Sequence, residues 1–77
     1  MNLKAKYIAA TDFLSNIILK DVQKGMPLTE AIAREHGNIK KISDATGFSI
    51  AETTKKIQNT CEFVIEVLDI KDRRKSK

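Results

Sequence analysis

The chain predicts an all-α fold of four to five helices, and three observations carry that prediction. Glycine occurs three times and proline once in 77 residues, all before residue 48, so long stretches run without a helix breaker. Apolar residues recur at alternating three- and four-residue spacing rather than alternating every second residue, which is the helical period. Ser49-Ile50-Ala51-Glu52 has the form of a capping box, in which the serine caps a helix and the glutamate reaches back to the serine amide. Residues 1–70 are expected to form one helical domain, followed by a basic tail over 71–77 that is expected to be disordered.

The first helix is expected over about Leu3–Lys24. Leu3, Tyr7, Ala10, Leu14 and Ile17 form a heptad seam, which Phe13, Ile18 and Val22 widen into a face too broad for one short partner helix. Gly25 ends this helix and Pro27 suits the first turn of the next. A second helix is expected to about His36, burying Leu28, Ala31 and Ile32, with Gly37 as its left-handed terminator and His36 interacting with its C-terminal dipole. Asn38 then reads as the N-cap of a third helix from Ile39 to about Thr46, with Ile42 and Ala45 facing inward. Gly47 supplies the positive φ for a sharp reversal, and Phe48 plugs the turn.

The fourth helix opens at the capping box. Ile50, Thr54, Ile57, Cys61, Val64 and Leu68 keep heptad spacing, which favours one helix to Ile70. Asn59-Thr60-Cys61-Glu62 is a second capping-box pattern that would kink it or start a fifth helix. Phe63, Val67 and Ile70 add a neighbouring apolar stripe. Broad apolar faces on the first and last helices of a short chain without disulfides point to a homodimer.

The formal net charge is +4, and all of it belongs to the tail: Lys71, Arg73, Arg74, Lys75 and Lys77 stand against Asp72, while residues 1–70 balance to zero. Such a tail suits phosphate contacts. Cys61 has no second cysteine to pair with, which fits a reducing, cytoplasmic compartment. Apolar runs are too short to span a membrane, and Thr11 and Asp12 interrupt any signal-peptide core, so neither a membrane nor a secretory segment is expected. There is no Ser/His/Asp set, no metal-ligand cluster and no Gly-rich phosphate loop, so neither an enzyme nor a cofactor or metal site is expected.

The order of caps, glycine and apolar positions over about 38–59 is that of a helix-turn-helix, with Ala45, Gly47, Phe48, Ala51 and Ile57 filling its turn and buried positions. Its second helix would offer Thr53, Lys55, Lys56 and Asn59 to duplex DNA, with Ser49 at its start. Lys40 and Lys41, near the start of the preceding helix, would sit against the backbone, where free helix amides also favour phosphate. Arg73 and Arg74 of the tail would add affinity. This points to a small regulator of transcription or DNA architecture in a bacterial or phage-infected cell.

The segment Pro27-Leu28-Thr29-Glu30-Ala31-Ile32, then Gly37-Asn38, Gly47 and Lys55-Lys56-Ile57, resembles the C-terminal DNA-binding half of the factor for inversion stimulation family. It is also similar to the DNA-binding ends of bacterial enhancer-binding activators. The resemblance spans about residues 27–57, with one residue fewer than expected before Gly37-Asn38. It implies a helical homodimer whose C-terminal helix pairs enter successive major grooves, with Lys55, Lys56, Thr53 and Thr54 at DNA-contacting positions. The chain departs from the family in carrying Ile50 and Glu52 after the turn, and in continuing for about a dozen apolar-patterned residues beyond the second helix.

The alternative from the same residues is a helical protein–protein interaction module, an adaptor or inhibitor. Its lysines would be a solvated face, and a partner protein would bind the apolar sides of the first and last helices. The zero net charge of residues 1–70 favours that alternative, because strong DNA binders carry a basic surface on the folded part.

Overall fold

A computed structural model describes residues 2–68, and its elements are four helices: α1 Leu3–Gln23, α2 Leu28–Arg34, α3 His36–Thr46 and α4 Ile50–Leu68. The tail with Arg73 and Arg74, and Ile70 with it, lie outside the described residues. No helix among these is long and apolar enough to cross a membrane.

Each boundary has a local cause. Asn2 caps α1 by accepting the Ala5 amide at 2.7 Å. At the other end Gly25 takes φ 108°, which only glycine adopts at little cost. The Gly25 amide then bonds the Val22 carbonyl and the Met26 amide bonds that of Asp21, a paired closure that satisfies carbonyls the helix leaves free. Pro27 is the N-cap of α2 and not its first residue.

The α2–α3 boundary differs from the sequence expectation. The chain breaks at Glu35 alone, and α3 begins at His36. Gly37 is therefore helical and does not terminate α2. Asn38 lies inside the first turn of α3, where its amide donates to Glu35 Oε1 at 2.8 Å, and so it is not the N-cap. His36 is the first residue of α3 and so does not lie in the last turn of α2. A one-residue hinge costs less exposed backbone than the longer break that the Gly-Asn pair suggests, because both helices keep more of their internal bonds.

One core joins all four helices. Leu14, Ile18, Leu19 and Val22 come from α1, Leu28, Ala31 and Ile32 from α2, Ile39 from α3, and Ile57, Cys61 and Ile65 from α4. The α1 stripe is rotated relative to the predicted seam. Tyr7, Thr11, Leu14, Ser15, Ile18, Leu19 and Val22 are buried, whereas Leu3 is exposed and Phe13 is 68% exposed.

The buried polar side chains among the described residues are Thr11, Ser15, Thr46 and Thr53. Each donates its hydroxyl to the carbonyl four residues earlier, at 2.7–2.8 Å. A hydroxyl bonded in that way leaves no orphan donor, so these positions pack as small, nearly apolar groups.

Tyr7 stacks on Phe48 with ring centroids 3.9 Å apart, and the Cys61 thiol donates to the Ser15 carbonyl at 3.8 Å. Further along, Gln23 shares a groove with Leu68. Residue numbers rise together along both helices, so α1 and α4 lie side by side in the same direction. α4 runs unbroken from Ile50 to Leu68, through Asn59, and the second capping-box pattern at 59–62 does not interrupt it.

Candidate nucleic-acid interface

The α3–α4 hairpin is held by its turn. Gly47 takes φ 83° and its amide bonds the Ser43 carbonyl at 2.9 Å, closing α3. The Ser43 hydroxyl donates to the Phe48 carbonyl at 2.5 Å, and the Phe48 ring lies on Tyr7, so the turn is pinned both to α3 and to α1. Ser49 Oγ accepts the Glu52 amide at 3.0 Å while Glu52 Oε1 accepts the Ser49 amide at 3.3 Å. This is the reciprocal capping box expected from the sequence. The turn from Gly47 to Ser49 therefore reverses the chain on these bonds, and the start of α4 is set in one orientation.

The buried positions of the hairpin are not all those expected. Ala45 and Ala51 are exposed. Ile57 is buried as expected and Ile42 is half-buried, while Ile39, Thr46 and Thr53 take the remaining buried positions, with Ser43 and Ile50 half-buried beside them. Thr53 is fully buried and its hydroxyl is bonded to the Ser49 carbonyl, so it cannot touch a groove, and the expectation that it contacts DNA is corrected.

Of the remaining candidates, Lys40, Lys41, Ser49, Lys55 and Asn59 are exposed, and Lys56 is half-buried. Glu52, Lys55 and Asn59 follow one another at three- and four-residue steps and share the outer face of α4. Lys56, one position on from Lys55, is turned about 100° around the helix onto a different stripe with Thr60, Phe63 and Val67. The two lysines therefore do not act as a pair on one surface. Lys41 lines a shallow groove with Asn38, Ile42 and Phe13 between α1 and α3. Lys40 and Lys41 stand in the second turn of α3, because the helix starts earlier than expected. Its N-terminal end lies at His36, one turn before these lysines, and the Glu35 carboxylate there accepts from the Asn38 side-chain amide without capping the helix.

The chain matches no protein-family model, no curated protein and no solved structure.

α4 has two halves of different character. Over residues 50–59 its exposed face is polar, with Glu52, Lys55 and Asn59 beside the small Ala51. Over residues 60–68 it becomes acidic and apolar: Glu66 is exposed, and Phe63, Val67 and Leu68 are 60–66% exposed. Phosphates would be repelled by the second half and tolerated by the first. Sequence periodicity places Phe63 and Val67 on a distinct stripe, but only packing shows that no part of this chain's described residues covers it.

Proposed function

We propose that this protein binds duplex DNA as a homodimer, using α3, the Gly47–Ser49 turn and the first half of α4 as a helix-turn-helix in transcription control or DNA architecture. The observation that carries the reading is the pinned turn with its capping box, which sets α4 so that Thr53 and Ile57 enter the core and the opposite face, with Glu52, Lys55 and Asn59, is open to solvent. The likeness of residues 27–57 to factor for inversion stimulation supports it through Gly47, Lys55 and Ile57, and less through Gly37-Asn38, which lies within α3.

In this reading Lys55 and Asn59 face the groove, where lysine takes guanine or phosphate and asparagine takes adenine. Lys56, from its side stripe, takes a phosphate. Lys40, Lys41 and the Ser49 hydroxyl position the backbone, and Arg73 and Arg74 add affinity without sequence information. Glu52 on the same outer face restricts the readable bases to those offering a donor, such as cytosine.

A fluorescence-anisotropy titration with random and genomic duplexes at two salt concentrations tests this. Binding should weaken steeply with salt. Each of Lys40→Ala, Lys41→Ala and Lys55→Ala should make the slope of log K against log salt shallower by about 0.9 for every phosphate it leaves unneutralised. Absence of binding at low salt by the folded wild-type chain would sink the proposal.

A second reading has its own observation. The acidic and apolar far half of α4 suits a protein partner, and an adaptor would use that face while its lysines stay solvated. It predicts a chain that ignores DNA at every salt concentration.

A further inference from the structure

We infer that a second copy of this chain docks on the face formed by the outer side of α1 and the last two turns of α4. The inference rests on the homodimer of the functional proposal and specifies the surface that makes it. Phe13, Ile17, Val64 and Leu68 line one groove of about 500 Å³ between these helices, with Asn16 and Lys20 along the same wall. Phe63 and Val67 continue the apolar surface around α4, one helical step from Val64.

Two properties of this face select a second copy. The first is area. Phe13, Phe63, Val67 and Leu68 are 60–68% exposed, and together they present roughly 400–500 Å² of apolar surface per chain. Paired about a two-fold axis, two such faces would remove roughly 800–1,000 Å² from water, which approaches the threshold of a specific interface. The second is charge. Lys20 stands on the α1 side of the groove, and Glu66 flanks Phe63 on the α4 side. A face with a cation on one side and an anion on the other is self-complementary under a two-fold axis, which brings Lys20 of each copy toward Glu66 of the other. Such pairing leaves Lys55 and Asn59, in the first half of α4, open to solvent.

Sedimentation equilibrium on the full chain tests this, with circular dichroism to check folding. The wild type should sediment at twice its 8.7 kDa mass at micromolar concentration. Phe63→Asp and Leu68→Asp, both at exposed positions, should keep their helix content and raise the dimer dissociation constant by at least about tenfold. Lys20→Glu and Glu66→Lys should each weaken the dimer, and the double variant should recover affinity. A monomeric wild type overturns the second-copy assignment and the homodimer alike, leaving the face to a different protein. A dimer that Phe63→Asp and Leu68→Asp leave unchanged overturns this surface while the homodimer stands. Folded single charge variants whose double variant shows no recovery overturn the two-fold pairing.

Discussion

Cys61 shows how far burial alone decides the chemistry of a residue. It is fully buried against Ser15, and desolvation raises its thiol from an ordinary 9.0 to about 11, with the Ser15 side chain opposing the rise and Glu62 adding to it. In the folded chain the thiol should therefore stay unreactive toward a thiol-specific reagent near pH 8, and react only at the rate of unfolding. The sign of the linkage follows. The unfolded chain ionises this group near pH 9 while the native chain holds its proton, so the contribution to stability is present below about pH 9 and changes as pH rises toward 11. Over that window the native chain binds more protons than the unfolded one, so stability falls. Urea melts across that range should show a falling stability whose slope is shallower in Cys61→Ala; an unchanged slope would place the effect elsewhere. The heptad spacing in the sequence placed Cys61 on the apolar stripe of the fourth helix. It did not mark Thr11, Ser15, Thr46 and Thr53 as core, because a hydroxyl counts as polar until the carbonyl four residues earlier is seen to take its proton.

At the scale of elements, the two helical ends that sequence reasoning placed on Gly37 and Gly47 behave differently. Gly47 has φ 83° with open space around it, so Gly47→Ala meets no neighbour and carries only backbone strain. It should destabilise by about 1–2 kcal/mol. Gly37 lies inside α3, also with open space around it, so Gly37→Ala should stabilise by up to about 1 kcal/mol. Opposite signs in thermal melts of the two variants would confirm the α2–α3 boundary, whereas destabilisation by both would return Gly37 to a helix terminus. Ser49→Ala should cost about 1 kcal/mol by opening the capping box, which the same melts would read. The box was legible because its two partners lie three residues apart in the chain. The hinge at Glu35 was not legible, since Gly-Asn is a strong local stop and only the packing of Ala31, Ile32 and Ile39 into one core favours helix on both sides of a single residue.

For the whole molecule, α1 and α4 pair side by side with the shorter helices packed against them, and the core passes through Ile18 and Ile57, both fully buried. Either residue changed to alanine should cost about 2–5 kcal/mol, a large fraction of the stability of a 77-residue chain. Chemical denaturation would measure it. Where the dimer is populated, mass action adds to the stability of the folded chain, so the denaturation midpoint of the wild type should rise with protein concentration. The exposed side of α4 changes along its length: residues 50–59 present a polar surface, and residues 60–68 an acidic and apolar one.

The sequence by itself determined the all-α class, the extent of α1 to within one residue, the start of α4, the Gly47 reversal and the Ser49–Glu52 cap. These depend on bonds and spacings within a few residues, where physical chemistry acts locally. Tertiary structure decided which side of each helix is covered. It buried Thr53, exposed Ala45, Ala51 and Phe13, and left Lys55 in solvent while half-burying Lys56 on the neighbouring stripe of α4. A helix offers several apolar stripes of similar merit, and the choice among them belongs to the partners that reach it, which no single helix specifies.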